Sequence, residues 1–228
     1  ILSSNNAQNG GGAQYAVLEA CTLSANTSSL FGGAAHLCDL HACEVRDNHG
    51  NAGGGIMQCS ASNCWLTGNL AMMGGGANQS RLRECYLASN IAFTGGGCFT
   101  GELVGCELRW NRANQHGGGA YAALVQDCLF NGNIASTNGG GAWRGSVTDG
   151  EFTRNTAGLC GGGIYQVTAL DCRFTANDAR YGGGSYESTV FRATFASNSA
   201  LNGGGDFMST IYQSHFLCNT AAYDGGAS

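Results

Sequence analysis

The chain has 228 residues and a formal net charge of −5, with 11% of its residues charged. Its ten basic residues are all arginine and form no cluster, so no nucleic-acid partner is expected, and no apolar run approaches the roughly 18 residues a membrane span needs. Its 39 glycines would signal disorder in an aperiodic chain, and its lack of proline fits strands that all donate N–H groups to a neighbour.

The glycines are periodic, the signature of a repeat architecture. A triple glycine begins at Gly10, shortens to Gly32-Gly33, returns at Gly53, Gly74, Gly95, Gly117, Gly139, Gly161, Gly182 and Gly203, and ends as Gly225-Gly226. With Phe31 and Asp224 standing in for missing first glycines, the motif recurs every 21 or 22 residues without linker or composition shift. A single domain over residues 1–228 is expected. Counted from the first glycine of each coil as position 0, position 16 holds Asn26, Asn69, Asn90, Asn111, Asn133, Asn155, Asn177, Asn198 and Asn219. One extra early residue in the second coil brings Asn48 to the same place. Position 13 runs Leu23, Val45, Leu66, Leu87, Leu108, then Phe130, Phe152, Phe174, Phe195, Phe216.

Apolar or small residues fall at positions 4, 6 and 8, then 11 and 13, then 16 and 18. Steps of two mark strands with one buried face, and the steps of three between groups mark corners. Glycine belongs at the widest bend, where positive φ or close approach excludes a side chain. The expected fold is all-β: a right-handed parallel β-helix (β-solenoid) of about ten coils of 21–22 residues, with three short strands per coil and no caps.

The columns carry the candidate roles. The Asn column reads as a structural ladder, its amides bonding along the axis and satisfying buried corner carbonyls. At position 11 the column is Cys21, Cys43, Cys64, Cys85, Cys106 and Cys128, then Gly150, Cys172, Ala193 and Ser214. In-register strands hold such side chains too far apart for unstrained disulfides, so a thiol ladder is expected, with Cys38 and Cys59 the best single pair for a disulfide. No convergent Cys or His set calls for a metal, and no cofactor is expected. Phe99, Tyr121, Trp143, Tyr165, Tyr186 and Phe207 share position 4. Their parity with the aliphatic column predicts an internal stack; an outer strip for stacking sugars is the alternative. Asp127, Asp149 and Asp171 line one corner, with Glu151, Arg173 and Arg192 beside them. Stacked acids of this kind suit Ca²⁺ binding or acid–base work on a sugar, against the plainer reading of a solvated turn. The histidines scatter and no long loop interrupts the coil, so no catalytic residues are expected.

The stretches CLFNGNIASTNGGGAW, CRFTANDARYGGGSY and ATFASNSALNGGGDF resemble the FxxN…GGA repeats of the polymorphic outer membrane proteins of bacteria. The resemblance covers the chain and implies a right-handed β-helix, secretion and adhesive or structural duty. A C-terminal translocator barrel, which those proteins carry, has no counterpart here, so an excerpted passenger is the form the resemblance fits. Ile1 enters midway round a coil and Ser228 leaves just after a glycine motif, so the end coils read like interior ones. The expected function is a non-enzymatic extracellular or cell-surface structural protein. It is either a filament subunit stacking head-to-tail on copies of itself or the rod of a surface adhesin that meets glycans. The alternative is a carbohydrate-binding or polysaccharide-degrading β-helix using Asp127, Asp149 and Asp171.

Overall fold

A computed structural model describes residues 1–226; Ser228, the expected exit residue, lies outside the described residues. All strand pairs are parallel, and each partner lies one coil away: Leu66 faces Leu87, Leu87 faces Leu108, Leu108 faces Phe130, and Phe130 faces Phe152. The result is a β-solenoid of eleven coils, one for each strand of the sheet running from Leu2–Ser3 to His215–Leu217. A sixteen-stranded sheet carries the glycine side, and an eight-stranded sheet from Leu70–Met73 to Thr220–Asp224 carries the Asn side. Single bridges at His49 and Ala52 continue the Asn side to Thr27–Phe31. There is no helix among the described residues, and so none long and apolar enough to cross a membrane. At ~4.8 Å per coil the stack is roughly 50 Å long.

Each coil turns four left-handed corners, one more than expected. In the coil opening at Gly53 they are Gly53 (φ 70°), Gln58 (51°), Asn63 (52°) and Gly68 (65°). The five-residue step recurs, for example at Gly161, Gln166, Asp171 and Ala176. Side chains alternate in and out between corners and reset at each, so positions 3, 6, 8, 11, 13, 16 and 18 face inward. The corner at position 5 breaks the parity on which the internal aromatic stack rested. Position 4 faces outward in the aromatic coils: Phe99, Tyr121, Tyr165, Tyr186 and Phe207 are half-buried, and of these six aromatics Trp143 alone is buried. The aromatic column is an outer strip.

Left-handed φ does not by itself demand glycine here, because Gln58, Trp110 and Asp171 adopt it. What singles out the glycine run is space. At position 0 a Cβ would lie 2.0 Å from the Ala13 carbonyl oxygen at Gly10, and 2.6 Å from that of Cys98 at Gly95. At position 1 it would strike the next coil: at Gly54 it would come within 2.5 Å of the Gly75 oxygen and 2.6 Å of the Leu70 oxygen. The run is where one coil closes tightly on the next. The same corner corrects the register of two coils. Gly32 (φ 60°) and Gly225 (φ 62°) take position 0, not Phe31 and Asp224. Ala34 then fills the third glycine's place, and Asn48 reaches position 16 with no extra residue.

The core is one axial column. From Leu23 to Phe195 every residue of position 13 has zero exposure. From Phe130 onward the rings stack, with centroids 4.5, 5.2, 4.7 and 4.6 Å apart through to Phe216.

Candidate functional site: the axial ladders

The residue that follows the corner at position 15 faces inward, and its N–H meets no main-chain carbonyl of the next coil. A buried N–H needs a partner. At position 16 the Asn side chain of the next coil supplies it: the Asn90 N–H donates to Asn111 Oδ1 at 3.0 Å, and the Asn111 N–H donates to Asn133 Oδ1 at 3.0 Å. From Asn26 to Asn198 each Nδ2 donates at least twice. That of Asn111 bonds Asn133 Oδ1 at 3.0 Å and the Leu87 carbonyl, one coil back, at 2.9 Å. The amide is therefore saturated in a site of zero exposure. All ten expected ladder residues, from Asn26 to Asn219, join this row. Asn5 extends it at the other end, donating to Asn26 Oδ1. That residue precedes the first glycine motif and so fell outside the alignment.

Cys and Ser do the same work after the corners at positions 5 and 10. At position 11 the Cys43 N–H donates to Cys64 Sγ at 3.4 Å, the Cys106 N–H to Cys128 Sγ at 3.2 Å, and the Ala193 N–H to Ser214 Oγ at 3.0 Å. The receiving group donates back across its own corner: Cys64 to the Ser62 carbonyl at 3.2 Å, Cys128 to that of Gln126 at 3.1 Å, Ser214 to that of Tyr212 at 2.9 Å. At position 6, Cys38, Cys59, Ser80, Ser188 and Ser209 form the equivalent contacts. The thiols are thus hydrogen-bonding members of a ladder. Ser214, at the end of a Cys column, was the sequence signal for this equivalence. Burial pushes Cys172 up to about 11, which keeps it a thiol and a donor. Cys38 and Cys59 are neighbours as expected, and both are free thiols. In-register spacing leaves them linked by the Cys38 N–H to Cys59 Sγ contact at 3.4 Å, not by a covalent bridge.

The acidic corner is resolved residue by residue. Asp127, Asp149 and Asp171 each occupy the left-handed corner at position 10, with φ of 52°, 53° and 55°, and all three are exposed. Asp tolerates this conformation better than most residues. Asp171 is clamped from the next coil by Arg192, whose Nε and Nη2 donate at 2.8 and 2.7 Å. That guanidinium holds the Asp171 carboxyl below the usual range, so it is ionised and spoken for. Glu151 and Arg173 pair more loosely at 3.6 Å. Among the described residues no three His, Cys, Asp or Glu side chains converge to hold a metal ion.

The outer aromatic strip stacks on itself. Its centroids lie 4.5, 4.3, 6.3, 5.3 and 5.9 Å apart from Phe99 to Phe207, with interplanar angles of 3–34°. His116 covers Trp143 at 4.9 Å, and the Arg144 guanidinium lies 4.2 Å over the Trp143 ring. Ring faces that a sugar would use are occupied by neighbouring rings, leaving edges to solvent. A groove of about 840 Å³ runs along the position-5 corner, lined by Gln58, Gln79, Arg81, Glu102, Cys38 and Cys59 among others. No protein-family model and no curated protein matches the chain.

Proposed function

We propose that the chain is a structural rod of the extracellular space or cell surface, extended along its own axis by coil-on-coil stacking. It serves as the subunit of a head-to-tail filament or as the stalk of a surface adhesin. The observation that carries this reading is the one-way sense of the ladders. In each of the ten links along the eleven Asn residues the main-chain N–H points to the following coil and the accepting Oδ1 to the preceding one. Within this row every coil therefore offers its Oδ1 acceptor on one side and its main-chain N–H on the other, and a further coil of the same kind fits either side. Such contacts are heterologous and need not close. The F-x-x-N and GGG spacing of the polymorphic outer membrane protein repeats, with their right-handed β-helix and secretion, agrees with this reading. So does the saturation of the inward Asn amides, which leaves that row to cohesion.

Electron microscopy of native, undenatured material beside an intact mass tests it. Long uniform fibres of subunits near 23.3 kDa mark a filament, and coils running on within a much heavier chain mark a stalk. Short single rods of 23.3 kDa at every concentration would refute it. The sugar-directed alternative at Asp127, Asp149 and Asp171 is tested by Asp149→Ala, which would abolish glycan binding or turnover only if that corner is a site.

A further inference from the structure

Cys38 and Cys59 differ from the other stacked thiols in where they sit. They occupy position 6 of adjacent coils, between Ala16 on one side and Ser80 on the other, so they form an isolated pair. Both are nearly buried, at 3% and 4% exposure, yet they form part of the floor of the 840 Å³ groove. Each sulfur already receives one main-chain N–H, from Ala16 to Cys38 and from Cys38 to Cys59, both at 3.4 Å. Each S–H points to a carbonyl two residues earlier, His36 and Met57, both at 3.3 Å.

The spacing decides what such a pair can hold. Parallel in-register strands lie ~4.8 Å apart. That exceeds the Cβ separation of about 3.5–4.5 Å a relaxed disulfide needs. A linear S–metal–S unit spans two metal–sulfur bonds, about 4.6 Å if each is about 2.3 Å as in zinc thiolates. The coil repeat that disfavours a disulfide therefore matches a two-coordinate dithiolate. No third ligand is at hand. The His36 ring nitrogens face Gln14 at 3.1 Å and Gln58 at 3.3 Å, and Asp39 points outward. Tetrahedral zinc and hard oxygen-seeking cations are thereby disfavoured, whereas soft thiolates select copper(I).

We propose that Cys38 and Cys59 form a linear bis-thiolate site for copper(I), loaded through the groove. On loading, two S–H bonds break, two protons pass to solvent and two Cu–S bonds form. No electron is transferred, and the bound unit carries a charge of −1. The two N–H donors stay in place and favour the thiolate form.

The test is a copper(I) titration of reduced protein in competition with a chromophoric copper(I) chelator, following thiolate-to-copper charge transfer in the near ultraviolet. The exposed Cys218 is first replaced by Ser. The expected result is one retained equivalent. Either Cys38→Ser or Cys59→Ser then lowers affinity by roughly 100-fold or more, beyond the 10–100-fold typical of losing an outer partner. These variants keep the fold, because Ser80 and Ser188 already occupy the same column with both hydrogen bonds; an unchanged urea midpoint checks this. Retention of no copper by the parent chain overturns the proposal. So does retention that survives both substitutions, or retention lost only on Cys64→Ser, which would place the metal in the sealed row.

Discussion

The coils up to Leu108 and those from Phe130 onward have the same corners and the same Asn ladder, but different fillings. In the first group position 13 is aliphatic and position 11 is always Cys. In the second, position 13 is Phe, and position 11 becomes Gly150, Cys172, Ala193 and Ser214 after Cys128. A Cβ at Gly150 would fall 2.5 Å from Val147 Cγ1 and 3.0 Å from Phe152 Cε2, so Val147 and the ring together fill the room the thiol holds elsewhere. The third glycine feels the change too. At Gly141, Gly184 and Gly205 an added Cβ would come within 2.5–2.6 Å of a Phe Cδ1. At Gly12 the nearest atoms would be at 3.0–3.2 Å, and the neighbouring coil carries Ala34 at that very place. One cross-section thus admits two packings, provided the corner ladders stay constant. Interiors packed near crystal density tolerate such trades when total volume is conserved.

The largest effect should come from emptying the aromatic half. Phe174→Ala removes a fully buried ring stacked at 5.2 and 4.7 Å on its neighbours and should cost about 3–5 kcal/mol in urea unfolding. Leu87→Ala, in the aliphatic half, should cost about 2–5 kcal/mol and disturb adjacent coils less. The ladder should not distinguish the halves. Asn69→Ala and Asn155→Ala each strand a buried N–H and a buried carbonyl and should cost the same, about 1–3 kcal/mol for each group left unpaired. The third glycine should distinguish the aromatic coils from the first coil: Gly141→Ala overpacks against Phe152 and should cost about 1–3 kcal/mol, while Gly12→Ala, beside a coil that carries Ala34, should cost less. Cys64→Ser keeps both of its ladder bonds and should change stability by under about 1 kcal/mol.

The smallest effect is at the surface. The folded-state pKa of Asp171 is depressed by Arg192, so its contribution is present above the unfolded carboxyl value near ~3.9 and is lost as pH falls through the folded value. Both groups are partly exposed, so the acid-side slope should be slight, and Arg192→Gln or high salt should flatten it.

The coil, its period and its Asn column were legible because their residues are chemically constant: an amide or a glycine at each turn announces itself. The fourth corner was not. At position 5 the left-handed residue is Tyr15, Leu37, Gln58, Thr100, Arg144 or Met208, which share no chemistry, and only the backbone reveals the bend. Missing it inverted the aromatic strip. The Cys columns were legible as rows, but their hydrogen-bonding duty depends on N–H groups that the corners turn away from main-chain acceptors, and side-chain identity alone does not show that.

The most direct test is hydrogen exchange at single amides. The N–H groups of Asn69, Asn90 and Asn111 bond only to the side chain of the next coil, at 3.0 Å. If the post-corner ladders hold the coils together, these amides exchange as slowly as those of the adjacent strands, and Asn111→Ala speeds Asn90 selectively. Exchange of all three at the rate of an open loop in the parent protein would contradict the account.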